Sequence, residues 1–173
     1  MTLPTPAARL FTDTRTAPVW LLLRLWLGYT WLSSGTQRFT GSGWVGASAG
    51  QAINGFFDGT IENSQGEKPT VTGWYAAVVE AVAQPASGLL TYLIPLAEVT
   101  VGAPLILGLL TGLAALVGAL LNLNFLLAGT PGLNPLMLTF GLLIVAAWTV
   151  AGWWGLDGVS MRRRRTKPSR VPA

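Results

Sequence analysis

The chain has 173 residues, of which 51% are hydrophobic and only 10% charged, against roughly a quarter charged in soluble domains. It contains neither Cys nor His, which excludes iron–sulfur clusters, ordinary haem ligation, structural zinc and dithiol–disulfide chemistry. The net charge of +4 is local, because "MRRRRTKPSR" holds six of the 11 basic residues beside the last apolar run. Such a stretch reads as a cytoplasmic topology signal touching anionic lipid, not as a nucleic-acid surface.

The polar, Pro-bearing leader, residues 1–17, reads as a frayed cytoplasmic tail. The first apolar run, "VWLLLRLWLGYTWLSSGTQRF", predicts a helix over 18–39. As a signal peptide it is too long, it carries Arg24, and the nearest small-residue cleavage site lies far beyond it. Residues 40–87 are more polar and acidic and predict an outer loop with short amphipathic helices on the membrane surface. In that loop Val45, Ala49, Ala52, Ile53 and Phe56 share one helical face, and Trp44, Trp74 and Tyr75 suit the headgroup belt. From Leu89 to Ala128 the chain is apolar for too long to cross once. The cluster "GLLTG" divides it into helices at about 88–109 and 112–129. "GTPGLNP" then stops one helix and starts the next, at about 134–154, before a basic tail over 158–173.

Four crossings put both termini on one side of the membrane. Both ends are basic and the long loop is acidic, so the termini are expected in the cytoplasm. Small residues at four-residue spacing, Ala114/Gly118, Ala115/Ala119 and Ala147/Ala151, favour helix contact. The expected fold is all-α, a transmembrane antiparallel four-helix bundle over 18–157.

Glu98 stands alone in "YLIPLAEVTVGAPLIL". Ten residues into its helix it sits roughly 15 Å deep, near the bilayer midplane. An unpaired carboxylate there costs on the order of 3 kcal/mol. Two arginines can answer it. Side chains lean toward the N-terminus of their own helix, so Arg38 leans toward Glu98 and is the first choice. Arg24 leans away, can snorkel, and is the second. Arg24, Gly28, Trp31, Gly35 and Arg38 recur at steps of four and three and form one face. Trp31 therefore either packs in the core or stacks on a guanidinium or a flat ligand. Asn122 and Asn124 point about 200° apart. One is expected inside the bundle, the other toward a neighbour or subunit. The Glu98–arginine pair reads either as an ion pair fixing helix register or as a functional site. The sequence carries no nucleophile triad, phosphate loop or metal cluster.

Four segments taken in order, "RLWLGYTWLSSGTQRF", "PLAEVTVGAPLILGLLTG", "NLNFLLAGTPGLNP" and "AWTVAGWWGLD", resemble the DoxX family of small bacterial membrane proteins. The strongest elements are Gly35 to Arg38 and Glu98 to Gly102. The resemblance implies a four-helix bundle in the bacterial plasma membrane and kinship with the DoxD subunit of a thiosulfate:quinone oxidoreductase. Arg38 stands where many relatives have Lys, which keeps the charge but not its geometry. The outer loop is also richer in Gly and Asn than the family pattern. The functional expectation is an accessory or anchoring subunit of a membrane redox complex. Its partners would be the lipid bilayer, redox proteins and possible further copies of the chain, without nucleic acid. The alternative is a quinone-binding oxidoreductase subunit in which Glu98 handles a proton and Arg38 polarises a carbonyl. A small-solute carrier ranks third, for want of an internal repeat.

Overall fold

The computed structural model describes residues 6–165, and within them it is all-helical without a strand. The first and last stretches of the expected tails, residues 1–5 and 166–173, lie outside the described residues. Helices run α1 Pro6–Thr12, α2 Ala17–Thr40, α3 Gln51–Glu62, α4 Gly73–Val78, α5 Ser87–Leu107, α6 Thr111–Leu127, α7 Asn134–Ala146, α8 Trp148–Ala151 and α9 Leu156–Arg165. Among the described residues one helix, α5, is by itself long and apolar enough to cross a membrane.

Helices α2 and α5 form the most extensive helix pair. Helix α2 buries Ala17, Trp20, Arg24, Leu27, Gly28, Trp31 and Gly35, the face that the three-and-four spacing defines. Glycine lets the two backbones almost touch. A Cβ on Gly28 would lie 3.0 Å from the Gly102 carbonyl, and one on Gly35 would lie 2.8 Å from the Pro95 carbonyl. As α2 advances from 28 to 35, its neighbour on α5 recedes from 102 to 95, so the pair is antiparallel. Helix α6 returns along α5 with Gly118 against Val101 and Trp31, and α7 returns along α6 with Gly141 against Ala115 and Ala119. The small pairs of α6 and α8 are indeed interior: Ala114, Ala115, Ala119, Ala147 and Ala151 are buried.

Three local expectations change. The leader is not frayed from Pro6 onward. Helix α1 docks on α2, where Trp20 Nε1 donates to the Leu10 carbonyl at 2.8 Å and the Phe11 and Trp20 rings pack at 5.3 Å. The loop helix α3 buries Ile53 of the expected face, but with Phe57 and Thr60, while Ala52 and Phe56 are only partly buried. Gly50, at φ 89°, turns the chain just before α3 and separates 45–49 from it. The last apolar stretch is interrupted at Ala147, where the backbone leaves helical geometry with φ −101° and ψ 18°. That break aims Trp148 at Gly112, whose missing Cβ makes room for it.

The loop helices are not detached from the rest. Ile53, Phe57, Val71, Tyr75, Ala76, Val79 and Ala128 form a second apolar cluster roofing one end of α5 and α6. Tyr75 is therefore buried, 7% exposed, while its neighbour Trp74 stays exposed as a headgroup residue would. After α4 the chain widens into a π-helical turn, Val79–Ala83.

Candidate functional site

Two polar clusters sit at opposite ends of the α2–α5 pair. At the C-terminal end of α2, Arg38 Nη1 donates to Glu98 Oε1, forming the ion pair. Glu98 is 1% exposed, whereas the Arg38 side chain keeps 27% of its surface. The guanidinium lies between two rings, 4.7 Å from the centroid of Trp44 and 5.5 Å from that of Phe125. Both distances fall within the range of a favourable cation–π contact. Thr91 donates from Oγ1 to the Trp44 carbonyl and holds that residue in place.

Beside the pair lies a cavity of about 190 Å³. Glu98, Arg38, Trp31, Trp44, Phe56 and Phe125 supply its charged and aromatic walls. Glu98 spends one oxygen on Arg38. Among the described residues its other oxygen, Oε2, is buried and bonded to no protein group, as are Trp31 Nε1 and both amide atoms of Asn122. Trp31 Nε1 faces Gly118, and Asn122 follows one helical turn later on the same face of α6. Glu98 and Val101 share a face of α5 for the same reason, and Val101 also abuts Gly118. Three unanswered polar groups thus sit at one level between α2, α5 and α6. Each buried donor or acceptor left unmatched costs on the order of 1–3 kcal/mol, so the arrangement favours an occupant that supplies the missing bonds.

A model of the DoxX family matches residues 19–131, well over half of the chain. The chain belongs to the DoxX family. No curated protein and no solved structure matches it. Membership in DoxX makes this a small membrane protein, in keeping with its composition.

Of the residues singled out from sequence, the structure gathers Glu98, Arg38 and Trp31 around the cavity and places Asn122 at their level. Trp31 is a core residue, 2% exposed, and packs on Phe125 at 6.4 Å rather than on the guanidinium. Trp44, read as a belt residue, takes the guanidinium instead. Asn124 turns away and accepts from the Tyr75 hydroxyl at 2.7 Å. Burial pushes the Tyr75 phenol above its ordinary range, which keeps it a donor.

Arg24 does not join the site and does not snorkel. It is 1% exposed at the other end of α2, where Nη1 donates to the Leu105 carbonyl in the last turn of α5 at 2.8 Å. The opposite charge that acts on it is Asp157, a residue the sequence reading of this DoxX chain passed over. Asp157 clamps the α5–α6 turn. Its two carboxylate oxygens accept from the backbone N–H groups of Leu110 and Thr111 at 2.9 and 2.8 Å, and its own N–H donates to the Gly108 carbonyl. The clamp also holds Leu110 at φ 48°, a left-handed conformation that few non-glycine residues adopt. Helix α6 has no capping side chain of its own at Leu110, so an acid 47 positions away does the work of an N-cap. Asp157→Ala is accordingly expected to destabilise the protein by about 1–2 kcal/mol. Thermal unfolding in detergent would show it, with Asp157→Asn destabilising less than Asp157→Ala because one acceptor oxygen remains.

Proposed function

We propose that this DoxX protein is a four-pass module of the bacterial plasma membrane that serves a membrane redox complex as an accessory subunit. On this reading it holds the head of a small quinone-class molecule in the cavity at Glu98. Four crossings are supported by large apolar side chains left facing outward on every long helix: Leu22 and Tyr29 on α2, Leu89 and Leu96 on α5, Leu113 and Leu120 on α6, and Leu136 and Leu142 on α7. Soluble monomers rarely expose so much contiguous apolar surface. Helix α6 rises roughly 26 Å, and α7 with α8 reaches a similar length, close to the hydrocarbon thickness of a bilayer. With the basic tail in the cytoplasm, the Arg38 end and the loop helices lie outside.

The observation that supports the reading is the lone oxygen of Glu98, buried and unserved beside a cavity that four aromatic rings line together with Arg38, Ser34, Thr130 and Asn134. The cavity is smaller than the roughly 300–1,000 Å³ of pockets that take drug-sized ligands whole, so it suits one planar ring. The Arg38 guanidinium is the donor for a carbonyl oxygen. Glu98 Oε2 is the acceptor for a hydroxyl, and Trp44, Phe56 and Phe125 are surfaces for the ring. When bound, such a group supplies the electron-carrying chemistry that a chain without Cys, His or a metal cluster does not contain. The residues of this chain bind and orient it, exclude water, and hold a proton at Glu98. Arg38 and Trp44 also border a shallow polar depression with Gln37 and Ser42, through which a partner protein reaches the site.

Methyl-benzoquinone titrated into the purified protein is expected to quench tryptophan fluorescence saturably, because Trp31 and Trp44 line the cavity. Glu98→Gln should weaken binding of the reduced form, methyl-hydroquinone, by about tenfold as read by its displacement of methyl-benzoquinone, because the hydroxyl loses its charged acceptor. Linear, unsaturable quenching that is the same in Glu98→Gln would remove the basis of the proposal.

A further inference from the structure

A second hollow, of about 420 Å³, lies under the π-helical turn, between the loop helices and α5 and α6. It shares Phe56, Ile94 and Phe125 with the cavity at Glu98, so these three side chains form the partition between the two. The chemistry on the two sides differs. The polar atoms lining the second hollow are the Tyr75 hydroxyl and Asn124, and these already bond to each other. What the hollow offers an occupant is hydrocarbon: Val78, Val82, Leu90 and Leu93 with the rings of Phe56 and Phe57. Its rim faces outward, since Val78, Val82 and Leu93 are 47%, 63% and 43% exposed. The rim residues Val78 and Val82 belong to or flank the π-helical turn, a local widening that recurs at functional sites.

We infer that this groove takes the hydrocarbon tail of an amphiphile whose head lies at Arg38 and Glu98, and that the ligand enters sideways from the lipid past Phe56, Ile94 and Phe125. The inference rests on the reading of the cavity as a ligand site and adds the class of ligand and its route. A wholly apolar occupant leaves Glu98 Oε2 unserved. A wholly polar one gains nothing from the groove. A head joined to a tail satisfies both hollows at once. The exposed rim is continuous with the lipid-facing surface of α5, so the tail need not cross water to arrive.

The test uses the full chain in lipid nanodiscs and a benzoquinone bearing a decyl chain that ends in a diazirine. Photolysis followed by peptide mapping is expected to place adducts within 78–97 and 121–125, and an excess of the same decyl-benzoquinone without the diazirine should displace them. Ala97→Phe, which narrows the groove, should lower the ratio of decyl- to methyl-benzoquinone affinity by about tenfold, the equivalent of roughly two buried methylenes. Val82→Trp at the rim provides a second variant with the same expected direction. Undisplaced adducts spread over the outward faces of α2 and α6 overturn the inference, as does an unchanged affinity ratio in both variants. If methyl-benzoquinone still quenches saturably in that case, the groove assignment falls alone. If it does not, the cavity reading falls with it.

Discussion

Arg38→Met is expected to lower the apparent melting temperature of the detergent-solubilised protein by on the order of 10 °C, the consequence of losing about 3–5 kcal/mol. The size follows from what is left behind. Glu98 is 1% exposed, and among the described residues its carboxylate is bonded by Arg38 alone, so the variant strands a carboxylate inside the protein. Glu98→Gln should cost less. It leaves the Arg38 side chain with 27% of its surface and with the faces of Trp44 and Phe125, and those contacts stabilise a cation without a counter-charge. The double variant Glu98→Gln/Arg38→Met should then be more stable than Arg38→Met alone, because nothing charged remains buried. Arg38→Lys separates charge from shape, since an ammonium keeps the ion pair but not the broad guanidinium contact with the two rings. An intermediate melting temperature is expected for it. Heating followed by size-exclusion chromatography measures the whole series. A double variant as unstable as the sum of its singles would remove the pairing from any account of stability.

How much of this could be read from the sequence depended on distance along the chain. The Arg24-to-Arg38 stripe was legible because a helix repeats every three or four residues, and arginine and glycine on one face cannot prefer lipid. The antiparallel lean of side chains likewise singled out Arg38 as the nearer mate of Glu98. Contacts made by loops were not legible in this way. Trp44 looked like a headgroup anchor because nothing local reveals that Thr91, 47 residues away, fixes it above the guanidinium. Tyr75 looked interfacial for the same reason. Asp157 was hidden twice over, since it caps a helix in another part of the chain and stands just before a run of arginines that invites a purely electrostatic reading. One trace of it was visible: "GLLTG" opens a helix with no Ser, Asp or Asn before Thr111, which leaves backbone donors in need of a distant acceptor. The break at Ala147 carries neither Gly nor Pro at that position, so no local signal marked it.

The packing of α2 against α5 carries the second large expectation. A Cβ placed on Gly102 would lie 2.5 Å from Leu32 N and 2.8 Å from both the Gly28 carbonyl oxygen and the Leu32 Cα. All three obstacles are backbone, so no side-chain rotation can relieve Gly102→Ala and the helices must part by about 1 Å. Overpacking of this kind costs roughly 1–3 kcal/mol, and here the upper end is expected. A further loss follows, because separating α2 from α5 loosens Arg38 from Glu98 at one end and Arg24 from the Leu105 carbonyl at the other. The gain of about 1 kcal/mol in helix propensity from Gly to Ala works against the effect without cancelling it. Two other glycines calibrate the result. Gly118→Ala meets the side chains of Trp31 and Val101 first, which can give way, so its penalty should be smaller. Gly55→Ala in α3 meets nothing within 4 Å and should stabilise the protein by up to about 1 kcal/mol. The expected order of melting temperature is therefore Gly55→Ala, wild type, Gly118→Ala, Gly102→Ala. Gly102→Ala should also weaken methyl-benzoquinone quenching, because Trp31 and Glu98 lie on the two helices it drives apart. A Gly102→Ala protein that melts with the wild type would mean that the two backbones do not meet as described, and the positions of both arginines would then lose their structural basis.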